Sequence, residues 1–322
     1  MDKIKILAND GIDNSGKEIL ENAGYLVITN KVPQTDLASY INQNNIQVLL
    51  VRSATKVSKE LIDACHSLKI IGRGGVGMDN IEVAYAKEKG IEVINTPAAS
   101  SQSVAELVFA HLFTCARFLH QSNIAMHQSE KCSFNELKKS YSNGIELREK
   151  TLGIIGFGRI GQSLASYALG CGMKVLAYDP FVEKAAIEIK IQGIDIIKTE
   201  VITKTFDEVL ANSDFISLHV PMPNNKKPVL GANELEKMKK GVILINASRG
   251  GVIDEVALLQ AIENKQIYAA ALDVFINEPE PSADILCNKN ISLSPHIGAS
   301  TLEAQERIGA ELAEKINNFF GK

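Results

Sequence analysis

A histidine, a carboxylate and an arginine each follow a separate apolar run in this chain. His296 comes after Asn290-Ile-Ser-Leu293 and Ser294-Pro295. Glu278 lies in the connection after Ala269-Ala-Ala-Leu-Asp273, and Arg249 follows Gly241-Val-Ile-Leu-Ile245 and precedes Gly250-Gly251. An imidazole exchanges protons near neutral pH, and a carboxylate can fix its tautomer and compensate the charge it gains. A planar guanidinium suits a carboxylate and polarises an adjacent carbonyl. Together they could move a hydroxyl proton while hydride leaves the neighbouring carbon. Each also has a plainer reading taken singly: a histidine satisfying local backbone, a surface ion pair, a loop-closing arginine.

Hydride chemistry needs a carrier, and the run Thr151-Leu-Gly-Ile-Ile-Gly-Phe-Gly-Arg-Ile-Gly161 supplies a place for one. An apolar strand, Leu152–Ile155, meets Gly156-x-Gly158-x-x-Gly161 and then a helical pattern from Gln162 to Ala168. The glycines permit a tight turn, close approach to a pyrophosphate and tight helix–strand packing, with the phosphates at the helix N-terminus. A second strand, Lys174–Tyr178, ends at Asp179, 18 residues beyond Gly161. That carboxylate is placed to bind adenosine ribose hydroxyls and to repel an additional phosphate, so the expected cofactor is NAD. Its plainer reading is a solvated loop aspartate before Pro180.

These groups need a scaffold of alternating strands and helices. Ile4–Ala8, Gln47–Val51, Leu68–Ile71 and Ile91–Ile94 read as strands, with helices at Ser15–Ala23 and Ser58–Cys65. A turn at Asn95-Thr96-Pro97 leads to one long apolar helix, Ala105–Leu119. Further strands are expected at Asp214–Leu218, Gly241–Ile245, Ala269–Asp273 and Asn290–Leu293. Helices at Asn233–Met238 and Glu255–Asn264 fall between them, and Thr301–Phe319 forms a closing helix. This alternation predicts an α/β protein of two Rossmann-like or flavodoxin-like domains with parallel sheets and an active-site cleft between them. The expected boundaries are residues 1–99 with 296–322 for the substrate domain and 100–295 for the nucleotide domain, hinged near 97–102 and 295–299. The polar stretch Gln128–Asn143, with Lys131, Lys138 and Lys139, reads as a surface excursion toward another subunit.

At 322 residues the chain exceeds the usual single domain, and 45% apolar with 22% charged residues is ordinary globular composition. A formal net charge of −4 gives no general attraction to nucleic acid or anionic membrane. No long uncharged apolar span reads as a membrane helix, and Met1-Asp-Lys-Ile-Lys5 lacks a signal peptide's apolar core. Cys65, Cys115, Cys132, Cys171 and Cys287 are scattered without metal-ligand spacing. They read mostly as apolar packing residues in a reducing, cytoplasmic setting.

Taken together, several strings resemble the D-isomer-specific 2-hydroxyacid dehydrogenases over nearly the whole chain. They are Val51-Arg-Ser-Ala-Thr-Lys-Val57, Gly72-Arg-Gly-Gly-Val-Gly-Met-Asp-Asn80, Ser103-Val-Ala-Glu-Leu107, the glycine run, Asn246-Ala-Ser-Arg-Gly-Gly-Val-Ile-Asp-Glu255, Asn277-Glu-Pro279 and Ser294-Pro-His-Ile-Gly-Ala-Ser-Thr301. The resemblance is greatest to the phosphoglycerate-oxidising branch. It implies catalytic roles for Arg249, Glu278 and His296. It also implies cofactor contacts from Ser103 or Val104, Gly156, Gly158, Arg159, Ile160, Gly161, Asp179, His219, Val220, Pro221, Ala247, Ser248, Asp273, His296 and Gly298. Arg52, Ser53, Arg73, Gly75 and Val76 would hold the substrate's anionic groups, joined by Lys139 of a neighbouring subunit. The family's tryptophan before that lysine is missing, for the chain has no Trp. The implied activity is NAD-dependent oxidation of D-3-phosphoglycerate to 3-phosphohydroxypyruvate in serine synthesis, without a metal, in a homodimer. The alternative is reduction of hydroxypyruvate, glyoxylate or another small 2-keto acid. A non-enzymatic alternative on the same fold is an NAD-sensing corepressor.

Overall fold

Val48-Leu-Leu-Val51 is buried at every position, as a strand covered on both faces must be. In the computed structural model, which describes residues 3–128, 133–223 and 225–322, this strand is third in an all-parallel sheet. Its members are β1 (Lys5–Ala8), β2 (Leu26–Ile28), β3 (Val48–Val51), β4 (Ile70–Arg73) and β5 (Glu92–Asn95), in the order β2-β1-β3-β4-β5. The helix Leu302–Phe320 belongs to the same unit, Met1–Ser101 with Ala299–Lys322. It buries Ile308, Leu312, Ala313 and Ile316 against Ile6, Leu20, Val48 and Leu50. Gly309 lets it approach the helix Asn14–Asn22, because a Cβ there would lie 3.1 Å from the Cα of Gly16.

The second unit, Gln102–Gly298, holds a six-stranded parallel sheet. Its strands are β6 (Thr151–Ile155), β7 (Lys174–Tyr178), β10 (Phe215–Leu218), β11 (Val242–Asn246), β12 (Ile267–Leu272) and β13 (Ile291–Leu293), ordered β13-β12-β11-β10-β6-β7. From β6 the chain runs outward to β7. It then returns to the other side of β6 and builds outward again from β10. That reversal is the switch point where doubly wound sheets open a ligand crevice. Between the two halves lies an antiparallel hairpin, β8 (Lys184–Ile189) with β9 (Ile197–Ile202). The parallel pattern expected from sequence did not include it.

Two further differences concern the segment after residue 100. The single expected helix is two, Ser101–Ala116 and Leu119–His127, because Phe118 takes φ 55 and ends the first. The polar excursion contains a helix, Phe134–Ser140, started by a capping box in which the Ser133 hydroxyl and Glu136 carboxylate satisfy each other's backbone N–H groups. Lys131 and Cys132 lie outside the described residues. Of the remaining cysteines, Cys65 and Cys115 are buried as expected of packing residues, whereas Cys171 and Cys287 are exposed. Among the described residues no helix is long and apolar enough to cross a membrane.

Candidate active site

The glycine turn and the end of β7 are physically joined. Gly156 has φ 94, and a Cβ on it would collide with the carbonyl oxygen of His219, so the turn requires glycine. The helix Arg159–Gly170 then begins at Gly158 with no side chain capping its first N–H groups, which leaves them available to an anion. Asp179 fixes this turn from the neighbouring strand. Its Oδ2 accepts the N–H of Phe157 at 2.7 Å, and its Oδ1 accepts those of Phe181 and Val182 at 2.8 and 3.2 Å. A pyrophosphate with an adenosine ribose fits this open N-terminus and adjacent carboxylate. His219 sits just past β10 with Nε2 3.0 Å from Ser217 Oγ, and burial pulls its pKa down to about 3. It is therefore neutral and offers no charge to a phosphate.

His296, Glu278 and Asp273 come together after β12 and β13. His296 Nδ1 lies 2.7 Å from Glu278 Oε2, while Glu278 Oε1 accepts the Phe275 N–H at 2.9 Å. Both carboxylate oxygens are thus engaged, one by the imidazole and one by its own loop. His296 has φ 53, a left-handed conformation that costs a residue with a Cβ about 1–3 kcal/mol. The following N–H groups of Ile297 and Gly298 both donate to Asp273, at 2.9 Å each, and the Gly298 carbonyl accepts from Ser103 Oγ at 2.7 Å. Arg249 leaves β11 through Asn246-Ala-Ser248. Asn246 accepts from the Ser248 N–H and hydroxyl and donates to the Arg249 carbonyl, which fixes that bend. Beside the pair lies an apolar cavity of about 430 Å³ lined by Phe275, Pro279, Pro281, Leu286, Leu293 and Pro295.

In the first unit the Arg52 loop is held from three sides. The Asp10 carboxylate accepts the N–H groups of Arg52 and Thr55 at 2.8 and 3.0 Å, the Thr55 hydroxyl at 2.8 Å and the Lys31 ammonium. Burial pushes the Asp10 pKa up, but these donors together outweigh it and hold the pKa below its ordinary value. Asn80 donates to the carbonyls of Arg52 and Thr55, and Arg73 Nε reaches the Arg52 carbonyl at 3.2 Å. Gly75, expected to offer backbone to a carboxylate, turns its N–H onto the Arg73 carbonyl at 3.0 Å. Arg73 is the last residue of β4, a strand end. Lys139 is exposed on the helix Phe134–Ser140.

Sequence reasoning missed Asp10, Asn80 and His111. Asp10 carried no local signal, and Asn80, though it ends the string Gly72–Asn80, was given no role. His111 did carry a signal, as a polar residue in the middle of the apolar run Ala105–Leu119.

A doubly wound sheet with a glycine turn at its switch point, a carboxylate after the second strand and an imidazole–carboxylate pair defines an NAD(P)-dependent oxidoreductase. Residues 109–298 match the NAD-binding domain of the D-isomer-specific 2-hydroxyacid dehydrogenases, and the chain belongs to that family. It is 42% identical to a hydroxypyruvate reductase of Thermotoga maritima, over 98% of each chain. It is also 39% identical to a D-3-phosphoglycerate dehydrogenase of Methanocaldococcus jannaschii, covering 97% of this chain but 57% of that one. A glyoxylate reductase from Paecilomyes thermophila shares the fold at TM-score 0.82 and 27% identity, over 100% of this chain and 97% of the other.

Proposed function

We propose that this chain reduces hydroxypyruvate, glyoxylate or a similarly small 2-keto acid to the D-2-hydroxy acid with NADH. The His296–Glu278 contact at 2.7 Å carries the chemical half of this reading. End-to-end similarity to a hydroxypyruvate reductase supports the substrate class. Arg249 binds the keto acid's carboxylate and polarises its carbonyl, aided by the backbone N–H of Val76, since that of Gly75 is taken by the Arg73 carbonyl. Bound nicotinamide supplies a hydride to C2. His296, held by Glu278 through Nδ1, delivers the proton to the C2 oxygen from Nε2, so the substrate gains one hydride and one proton. In the reverse direction the same nitrogen takes the hydroxyl proton. Gly156, Gly158, Arg159, Ile160 and Gly161 hold the pyrophosphate, and Asp179 holds the ribose of NAD. His219, Val220 and Pro221 line the adenine side. Val104, Ala247, Ser248, Asp273 and Gly298 flank the nicotinamide.

A second reading, oxidation of D-3-phosphoglycerate, is favoured by the Arg52 loop. Arg52, Ser53 and Arg73 converge there and could bind a phosphate, with Lys139 from another subunit. We place a homodimer contact on the segment after residue 118, where the apolar residues Leu119, Ile124, Met126 and Phe134 are exposed. The assay follows NADH absorbance with hydroxypyruvate, glyoxylate and 3-phosphohydroxypyruvate, and in reverse with D-3-phosphoglycerate. A higher kcat/KM for hydroxypyruvate or glyoxylate supports the first reading. A higher value for the phosphorylated pair replaces it with the second, and no turnover of any of them rejects both.

A further inference from the structure

The His296 turn is held by Asp273, and Asp273 is held in turn by a buried polar chain inside the second unit. Ser294 Oγ lies 2.6 Å from Asp273 Oδ1, His111 Nε2 lies 2.9 Å from Ser294 Oγ, and His111 Nδ1 lies 3.0 Å from Ser292 Oγ. His111, Ser292 and Ser294 are 6%, 5% and 8% exposed, so these groups must satisfy one another without water.

Counting hydrogens along this chain fixes its direction. Asp273 already receives the N–H groups of Ile297 and Gly298 and acts as acceptor throughout. The single Ser294 hydroxyl hydrogen therefore points to Asp273, and the Ser294 oxygen must accept from His111. That requires the hydrogen of His111 to sit on Nε2, leaving Nδ1 to accept the Ser292 hydroxyl. Burial pulls the His111 pKa down, against the opposing pull of Asp273, which favours the neutral ring this order needs.

We propose that His111 is a positioning residue, acting through Ser294 and Asp273 to lock residues 296–298 in the left-handed turn that aims the His296 imidazole. His111 never touches substrate. It donates to a serine, the serine donates to Asp273, and Asp273 thereby keeps its grip on two consecutive N–H groups beside a strained residue. This inference rests on the proposed role of His296, but one of its tests is independent of turnover.

In protein labelled with ¹⁵N-histidine, long-range ¹H–¹⁵N correlations should show His111 as the neutral Nε2–H tautomer. An Nδ1–H tautomer overturns the proposal whatever the substrate proves to be. In kinetics, using whichever 2-keto acid the wild type reduces, His111→Leu should lower kcat roughly 10–100-fold and leave the NADH dissociation constant within about twofold. His111→Gln, which can still donate and accept, should recover to within about fivefold of wild type. Ser294→Ala removes one oxygen from the middle of the chain. It should reproduce the His111→Leu pattern, and it decides the matter if His111→Leu does not fold. Wild-type turnover in folded His111→Leu or Ser294→Ala overturns the proposal. So does equal loss in His111→Leu and His111→Gln, which would make the effect one of shape alone.

Discussion

Replacing Glu278 with glutamine separates what the His296–Glu278 pair does for stability from what it does for chemistry. The Glu278 side chain has two jobs, Oε1 accepting from Phe275 N at 2.9 Å and Oε2 facing His296 Nδ1 at 2.7 Å. A glutamine has one acceptor oxygen and one donor nitrogen. Turning the nitrogen to Phe275 would oppose two donors, so the amide oxygen stays there and the NH₂ faces His296. The imidazole must then present Nδ1 as an acceptor and carry its hydrogen on Nε2, which cannot receive a substrate proton. The side chains of the pair are 42% and 35% exposed, so solvent screening limits its worth to stability to at most about 1 kcal/mol, a Tm shift within roughly 4 °C. The wrong tautomer, by contrast, should cost roughly 10²–10⁴-fold in kcat for alcohol oxidation, the scale of a lost general base. Absorbance at the NADH band under saturating D-2-hydroxy acid and NAD gives kcat, and thermal unfolding gives Tm. Oxidation within threefold of wild type in a folded Glu278→Gln protein would refute the tautomer argument, about 1.4 kcal/mol being a factor of ten.

Other outcomes follow from the same geometry. Asp179→Ala should shift the NAD-to-NADP ratio of kcat/KM toward NADP by about tenfold or more, the scale of one charged hydrogen bond, and an unchanged ratio would remove the ribose role. Asp10→Asn should destabilise the fold by about 2–3 kcal/mol near neutral pH, because the N–H groups of Arg52 and Thr55 lose a charged acceptor. The folded Asp10 pKa lies below the ordinary value of 3.8, so its stabilisation is complete above that value and is lost as pH falls through the folded pKa. Denaturant melts should accordingly show the gap between wild type and Asp10→Asn constant from about pH 5 to 8 and narrowing below about pH 4. A gap that widened in acid would reverse the sign of this account.

What the sequence revealed depended on how local each signal was. The glycine turn, the strand before it and Asp179 were legible because three glycines and a carboxylate must recur at fixed spacing around one phosphate-binding turn. His296, Glu278 and Arg249 were legible as candidates because each lies in the connection after an apolar strand. Asp10 was not, because its partners Arg52 and Thr55 lie 42 and 45 residues away and meet it only when β1 and β3 pair. His111 reaches Ser292 and Ser294 across 181 and 183 residues. The break at Phe118 has no glycine or proline to announce it. The β8–β9 hairpin was hidden for another reason. Its strands keep only Ile187 and Val201 buried, so the alternation that marks a half-buried strand is weak.

The residues proposed for hydride and proton transfer all lie within 102–298, while the arginines proposed to read the substrate's second anionic group lie within 1–101. The family match spans 109–298, the chemical half, and so carries no information on whether a phosphate is read. Relatives named for different substrates are the expected consequence. Arg52→Ala isolates the distinction, because the backbone of residue 52 stays fixed by Asp10 and Asn80 when the guanidinium is removed. If Arg52 binds phosphate, KM for 3-phosphohydroxypyruvate should rise roughly 10–100-fold, the equivalent of one charged contact. KM for hydroxypyruvate should stay within about threefold, since no phosphate is there to lose. Equal increases for both substrates would place Arg52 on the shared carboxylate instead and leave the loop no part in choosing between them.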